Sequence, residues 1–317
     1  VLFAARRAKM PVMLIAIPAL AGLSTLHAFI PPHPGPLAAI DSIHANLGLT
    51  LGLGLLVAIP TVIISGPLLG KVMARWVPIM APEQSAAENA EQSPEHRPTF
   101  AQAITVILCP VVLMLAASVV DLTGQSTTAW GRVLAFIGTP LTALFLTSVL
   151  AMVLLGFMQH ATRDAVNGMV GKSFGTVAGI VFIVAAGGGF KQTLVDSGIS
   201  DVIANSITES AMNPLIAGWI VAVLIRLATG SATVATVTAA GIMAPLAANL
   251  SPVQLALLVL AIGAGSVFFS HLNDAGFWLV KEYFGMTVGQ TLKTWSLMET
   301  VLSVVGLGCV ILLSLIL

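Results

Sequence analysis

The stretch of sequence that decides the fold is Arg226-Leu-Ala-Thr-Gly-Ser-Ala-Thr-Val-Ala-Thr236. It lies within the apolar run Pro214–Leu250, which is too long for a single membrane-spanning helix of about 20 residues. A helix broken near residues 229–233 would expose free N–H groups and the positive end of a helix dipole inside a membrane protein. Broken helices of this kind form the anion sites of secondary transporters, so the stretch predicts an all-α polytopic transporter.

The composition of the whole chain agrees with a membrane protein. Of the 317 residues, 57% are hydrophobic and only 8% are charged, whereas a soluble domain carries about 25% charged residues. A soluble protein of this size could not cover its surface with so few charges. The composition therefore excludes a cytosolic enzyme, a nucleic-acid-binding protein and a disordered chain.

Further apolar stretches are long enough to cross a bilayer. They are Met10–Ile30, Gly48–Gly70, Phe100–Val120, Val133–Met158, Val253–Phe269 and Ser296–Leu317. The shorter stretch Ser173–Ala186 runs directly into a Gly-Gly-Gly sequence, which a lipid-facing helix would not tolerate. We therefore predict a re-entrant hairpin with its tip near residues 187–193 and its second arm at Asp201–Ala211.

One polar segment, residues 71–99, is rich in charge and proline. It is predicted to be a linker between two membrane halves, with residues 1–70 ending the first half and residues 100–317 forming the second. The linker is predicted to be cytoplasmic, because the Lys/Arg-rich segments fall on its side of the membrane. The short sequences Ala45-Asn-Leu-Gly48 and Ala248-Asn-Leu-Ser251 either mark an inverted repeat or match by chance.

The break in Pro214–Leu250 supplies the first candidate substrate-binding residues, which are Thr229, Gly230, Ser231 and Thr233. A half-helix that starts there could hold a carboxylate on its N–H groups, while the hydroxyls bind a polar solute. The alternative role is helix packing, for which small residues are common in membranes. Arg226 beside the break either adds charge to the site, reaches the membrane surface or pairs with Glu209.

A second interruption is His27-Ala-Phe-Ile-Pro-Pro-His-Pro-Gly-Pro36, where the prolines prevent a continuous helix. Backbone of this kind inside a membrane lines a cavity or is buried in protein, which makes His33 and Gly35 candidate substrate-binding residues. The alternative is an ordinary loop between two spans. Metal binding by His27, His33 and His44 is disfavoured, because neither their spacing nor a nearby carboxylate supports it.

Two further clusters carry candidate residues. The predicted hairpin tip offers substrate contacts from Gly188, Gly189, Lys191 and Gln192, unless it is a solvated surface turn. The sequence Ser270-His-Leu-Asn-Asp-Ala-Gly276 predicts a proton relay, in which His271, Asn273 and Asp274 act with Arg226. The structural alternative is a polar turn in which Asn273 or Asp274 caps the helix Ala275–Phe284.

Nothing in the sequence predicts an enzyme. The motifs Gly-x-Ser-x-Gly, His-Glu-x-x-His and Cys-x-x-Cys do not occur, and Cys109 and Cys309 lie in apolar runs far apart in the sequence. We therefore expect no cofactor, no metal and no nucleic-acid partner.

Several long motifs, in order along the chain, resemble the gluconate:proton symporter family of bacterial permeases. They are Phe29-Ile-Pro-Pro-His-Pro-Gly-Pro36, Gly187-Gly-Gly-Phe-Lys-Gln192, Ala228-Thr-Gly-Ser-Ala-Thr-Val-Ala235, Ser270-His-Leu-Asn-Asp-Ala-Gly-Phe-Trp278 and Val280-Lys-Glu-Tyr-Phe-Gly-Met286. The resemblance implies a multi-pass carrier of sugar acids in the bacterial cytoplasmic (inner) membrane, driven by the proton gradient. It also implies membership of a larger ion-transporter group with inverted repeats and re-entrant hairpins, whose members are often homodimers. Because family members are longer at the N-terminus, the chain is expected to lack their first helices.

The sequence and the resemblance together predict a polytopic, all-α, inverted-repeat transporter that works by alternating access. Its expected partners are the lipid bilayer, protons and a small organic anion, which is gluconate or a related sugar acid. The alternative is a carrier of the same fold for D-serine or another small organic anion, including a sodium-coupled one. A membrane-embedded enzyme is the remote alternative.

Overall fold

The computed structural model describes residues 1–80, 98–198, 202 and 212–317, and every regular element within these ranges is helical. In chain order the α-helices are α1 (Leu2–Ala8), α2 (Met13–Phe29), α3 (Pro34–Ile43), α4 (Leu47–Ile63), α5 (Leu69–Trp76), α6 (Phe100–Leu122), α7 (Ala129–Ile137), α8 (Pro140–Ala151), α9 (Arg163–Asp196), α10 (Pro214–Thr229), α11 (Ala232–Ala247), α12 (Pro252–Ser266), α13 (Ala275–Phe284), α14 (Val288–Thr291) and α15 (Leu297–Ile316). Turns of π-helix at Ile64–Leu68 and Leu292–Ser296 join α4 to α5 and α14 to α15.

Within the described residues, five helical segments are long and apolar enough to cross a membrane. They are Met13–Ile43, Leu47–Trp76, Phe100–Ala117, Pro140–Gln159 and Val288–Ile316. The helices α10, α11 and α12 are also apolar but shorter. The predicted class of all-α polytopic membrane protein is confirmed, while the inverted repeat stays a prediction.

The re-entrant tip predicted near residues 187–193 is wrong. These residues lie in the continuous helix α9, and the predicted second arm falls outside the described residues except for Val202. Glycine lowers helix propensity by only about 1 kcal/mol relative to alanine. A long apolar helix can absorb this cost, because breaking it inside a membrane would leave backbone N–H and C=O groups without hydrogen-bond partners.

The predicted linker starts too early in the sequence. Helix α5 continues through Trp76, so residues 71–76 are helical, and α6 begins at Phe100. Residues 81–97 lie outside the described part of the chain. The cytoplasmic placement of the linker and the division into membrane halves stay predictions.

Contacts within the chain group its residues into two units, which are described separately. One unit contains Val1–Pro82 and Ile183–Leu317, and the other contains Glu83–Phe182. In the first unit, α12 lies at the centre and packs against α2, α4, α10, α11 and α15, while α3 packs on α11. In the second unit, α6 packs against α7 and α8.

Helix α12 occupies the centre of its unit because one long segment of it, Ala256–Ser266, is apolar or small at every position and entirely buried. Its glycines let neighbouring backbones come close, as small residues do in membrane helices. A Cβ atom on Gly263 would lie 2.1 Å from the carbonyl oxygen of Ala28 in α2. Helix α12 approaches α10 closely as well, since a Cβ atom on Gly265 would lie 2.4 Å from the carbonyl oxygen of Trp219.

Candidate functional site

The first break lies between α10 and α11. Helix α10 ends at Thr229, Gly230 follows in the left-handed conformation with φ 71°, and α11 begins at Ala232. Ser231 caps α11, since its side chain accepts a hydrogen bond of 3.3 Å from the N–H of Val234. The break therefore coincides with the residues at which the sequence predicts it, and it uses the glycine and N-cap chemistry typical of helix ends.

Only glycine fits at position 230. Its positive φ disfavours any side chain, and a Cβ atom would lie 2.2 Å from the backbone carbonyl oxygen of Asn273. The side-chain amide of Asn273 in turn donates a 2.8 Å hydrogen bond to the carbonyl of Leu227, near the end of α10. The first break is thus held directly against the segment that contains the second one.

The second break separates α12 from α13. Asp274 caps α13, because its carboxylate accepts a 2.8 Å hydrogen bond from the N–H of Gly276. The same carboxylate accepts a hydrogen bond from the hydroxyl of Ser270, which itself accepts a 2.6 Å bond from the indole N–H of Trp295. The bond from Gly276 is that of the capping turn, which the sequence allows as an alternative to a proton relay.

Arg226 joins the two breaks. Its guanidinium lies 2.5 Å from the carboxylate of Asp274 and also donates to the carbonyl of Gly230. Only 4% of Arg226 is exposed. Of the three roles left open by the sequence, reaching the membrane surface is excluded by this burial. Glu209, the partner considered from the sequence, lies outside the described residues.

The two breaks surround a cavity of about 490 Å³. The helix starts at Ser231–Thr233 and Asp274–Gly276 both line it, so the positive dipole ends of α11 and α13 face the same space. The cavity brings together many of the candidates from the sequence, namely Arg226, Thr229, Gly230, Ser231, Thr233, Asn273 and Asp274.

Other sequence candidates lie away from the described cavity lining. His33 precedes α3, with its ring centroid 3.9 Å from that of His27, whose side chain does line the cavity. Gly35 faces Thr236 of α11. A Cβ atom added to Gly35 would lie 3.6 Å from the side chain of Thr236, which is an ordinary van der Waals distance. The ring of His271 lies beside Phe269, with 5.7 Å between their centroids.

The candidates from the predicted hairpin tip belong to helix α9 instead. Gly188, Gly189, Lys191 and Gln192 are all within its bounds. Gln192 is exposed and donates a 2.8 Å hydrogen bond to Asp196, one helical turn further along. This i, i+4 contact is typical of a helix surface.

The cavity also contains residues that the sequence does not single out for it, namely Leu23, Ser24, His27, Trp295 and Glu299. Glu299 is only 2% exposed and accepts a hydrogen bond from the hydroxyl of Ser24. The sequence does carry a signal for Glu299, because it is the only acidic residue in the apolar stretch Ser296–Leu317, and ionisable groups inside membranes are functional by default. In the described part of the chain, no group of three or more His, Cys, Asp and Glu residues is arranged to hold a metal ion.

Comparison with known families agrees with this architecture. A family model described as "GntP family permease" matches residues 1–316. The chain belongs to this permease family. The resemblance inferred from the motifs is confirmed, and the protein is a multi-pass membrane permease rather than an enzyme.

Curated relatives are similar over most of their length. The gluconate permease of Pseudomonas aeruginosa is 45% identical over 100% of this chain and 71% of the relative. The Gnt-II system L-idonate transporter of Escherichia coli is 44% identical over 94% of this chain and 67% of the relative. A high-affinity gluconate transporter of Escherichia coli is 41% identical over 97% of this chain and 70% of the relative. No solved structure matches the chain.

In a permease, a cavity bounded by two helix starts can bind a small anion. The N–H groups of Ala232 and Thr233 precede the first hydrogen bonds of α11, so they have no acceptor within the helix. The hydroxyl of Thr229 donates to the carbonyl of Ile225 at 2.8 Å and accepts a 3.4 Å hydrogen bond from the N–H of Ser231, which leaves its oxygen one lone pair for a further hydrogen bond. The cavity thus combines positive potential with donors and acceptors.

Proposed function

We propose that this permease takes up gluconate or a related sugar acid across the bacterial inner membrane, together with protons. The observation that carries the proposal is the cavity of about 490 Å³ at which the N-termini of α11 and α13 meet. Its volume is within the range of about 300–1,000 Å³ that is usual for small-molecule sites. The names of the relatives, which include gluconate permeases and an L-idonate transporter, support a sugar-acid substrate.

The charge arrangement around the cavity favours a monoanion. The guanidinium of Arg226 is paired with Asp274, so this ion pair adds little net charge. The remaining positive potential comes from the two helix ends, each worth about half an elementary charge. A site of this kind attracts a carboxylate without an unpaired cation, whose insertion into the membrane centre costs about 2.5–3.5 kcal/mol.

The polar side chains of the cavity suit the rest of a sugar acid. The hydroxyls of Thr229 and Thr233 and the amide of Asn273 all line it. We propose that the N–H groups at the start of α11 hold the carboxylate, while these side chains bind the hydroxyl groups of the substrate. Sugar acids that differ only in the configuration of their hydroxyls, such as gluconate and L-idonate, are expected to compete for the site.

Several features of the whole transporter belong to the same proposal. Alternating access around the broken helices and an inverted repeat fit the transporter class with discontinuous helices. The larger group that the chain resembles supports a homodimer. The positions of Lys71, Arg75 and Arg97 support a cytoplasmic location for residues 71–99, because Lys and Arg are enriched in cytoplasmic loops.

Uptake measurements with labelled gluconate test the proposal. Cells that express the protein are expected to accumulate gluconate, to lose this accumulation when an uncoupler is added, and to be indifferent to sodium. Excess unlabelled L-idonate should compete, whereas neutral glucose, which has no carboxylate, serves as the matched control and should not.

Two results would contradict the proposal. Uptake that required sodium and resisted the uncoupler would show that sodium, and not the proton, is the coupling ion. Uptake of D-serine with no inhibition by gluconate would show that the substrate is D-serine and not a sugar acid.

A further inference from the structure

Glu299 is a buried carboxyl group at the wall of the cavity. It lies in the first turn of α15 and is 2% exposed. Its Oε1 atom accepts a hydrogen bond from the hydroxyl of Ser24 in α2. Its Oε2 atom is buried and has no hydrogen-bond partner among the described residues.

The helices packed around Glu299 supply few charges. Helices α12 and α4 and the turn Ile64–Leu68, which all pack against α15, contain no ionisable side chain. Helix α2 contributes only His27, and α10 contributes only Arg226. Asp274, which follows α12, also faces the cavity. The turn Leu292–Ser296 carries Lys293, whose side chain is exposed.

None of these groups neutralises Glu299 directly. Arg226 already pairs with Asp274, and the described residues hold no salt bridge to Glu299. Burying an isolated carboxylate with an unsatisfied oxygen is strongly unfavourable, whereas a neutral carboxyl group can be buried at far lower cost. The arrangement therefore suits a group that is neutral when enclosed and ionises when water reaches it.

We propose that Glu299 binds the proton that is transported with the substrate, an inference that rests on the proton-coupled uptake proposed above. With the cavity open to the outside, a proton from the external water adds to Oε2, and the neutral side chain closes with gluconate in the cavity. With the cavity open to the cytoplasm, the same O–H bond breaks and the proton passes to water. Ser24 keeps its hydrogen bond to Oε1 in both states.

Asp274 does not suit this task as well. Its carboxylate accepts hydrogen bonds from Arg226, Ser270 and the N–H of Gly276. Each of these contacts stabilises the ionised form and holds the side chain in place as a helix cap. Asp274 is accordingly a positioning residue for Arg226 and α13, which leaves Glu299 as the exchangeable carboxyl of the cavity.

The substitution Glu299→Gln tests the proposal, because glutamine keeps the size of the side chain and its bond to Ser24 but cannot exchange a proton. The variant is expected to lose uncoupler-sensitive accumulation of gluconate and the alkalinisation of the medium that gluconate addition causes. Exchange of labelled for unlabelled gluconate in membrane vesicles, which needs no net proton movement, should continue. Glu282→Gln is the matched control, since Glu282 is exposed and lies away from the cavity lining.

The outcomes separate this inference from the proposed function. If the unmodified protein shows no uncoupler-sensitive gluconate uptake, the proposed function fails before Glu299 is tested. If Glu299→Gln still accumulates gluconate with proton uptake, Glu299 is not the proton site. Loss of both accumulation and exchange at normal membrane levels would also overturn it, by making Glu299 a binding or structural residue. Glu299→Asp, which restores an ionisable group, should regain accumulation that Glu299→Gln lacks, and equal loss in both variants would count against the proposal.

Discussion

The substitution Gly230→Ala tests whether the break between α10 and α11 forms the substrate site. Alanine in the left-handed conformation costs about 1–2 kcal/mol. Its Cβ atom would also lie 2.2 Å from the carbonyl oxygen of Asn273, and overpacking of this kind costs about 1–3 kcal/mol. The sum of about 2–5 kcal/mol corresponds to a loss of roughly 30-fold to a few thousandfold in the population of the native break, at 1.4 kcal/mol for each factor of ten.

The expected result is a corresponding rise in the apparent half-saturation constant for gluconate, because the apparent affinity falls with the fraction of the binding-competent conformation. The assay is the initial rate of labelled gluconate uptake against concentration, at matched protein levels in the membrane. Gly198→Ala is the control, since Gly198 has a similar φ of +73° but no atom of the described residues within 4 Å of the point where a Cβ would lie. The Gly198→Ala variant has the backbone strain without the clash, and the strain lies outside the cavity lining, so its uptake kinetics should stay normal. An unchanged half-saturation constant in Gly230→Ala would refute the assignment of the break as the site.

Two further predictions concern the ion pair and the helix cap. Asp274→Asn leaves Arg226 buried without its counter-charge, which costs about 3–5 kcal/mol. We therefore expect quantitative blotting to show a lower level of this variant in the membrane. A normal level with normal uptake would show that the ion pair is dispensable. Ser231→Ala removes the cap that accepts from Val234, at a cost of about 1 kcal/mol, and should raise the half-saturation constant roughly fivefold. Thr236→Ala, which changes a hydroxyl further along the same helix, is its control, and equal effects of the two alanine substitutions would argue against a special role for the cap.

Much of the architecture could be predicted from local chemistry. The apolar composition and the lengths of the hydrophobic stretches determine a membrane protein, because lipid excludes charged surface and demands continuous helices. The prolines between His27 and Pro36 and the Thr-Gly-Ser sequence at residue 230 determine where helices break, since they act on the backbone of their own neighbourhood. The capping role of Asp274 is likewise one of the two interpretations that its position before α13 allows.

The same local reasoning fails where the sequence allows two conformations. The three glycines at residues 187–189 indicate a turn, but they lie inside α9. Glycine permits a break without requiring one, and in an apolar environment the helix satisfies more backbone hydrogen bonds than a turn does.

The chemistry of the cavity, by contrast, is decided by tertiary structure. Arg226 meets Asp274 across 48 residues of sequence, and Ser24 meets Glu299 across 275. The sequence groups Arg226 with Asp274 only as members of one predicted relay, and it does not show either contact, because each depends on how α2, α10 and α15 pack around α12. A sequence can show that an ionisable residue lies in an apolar helix, but its protonation and its partner depend on which other helices surround it, and only the packed structure determines that.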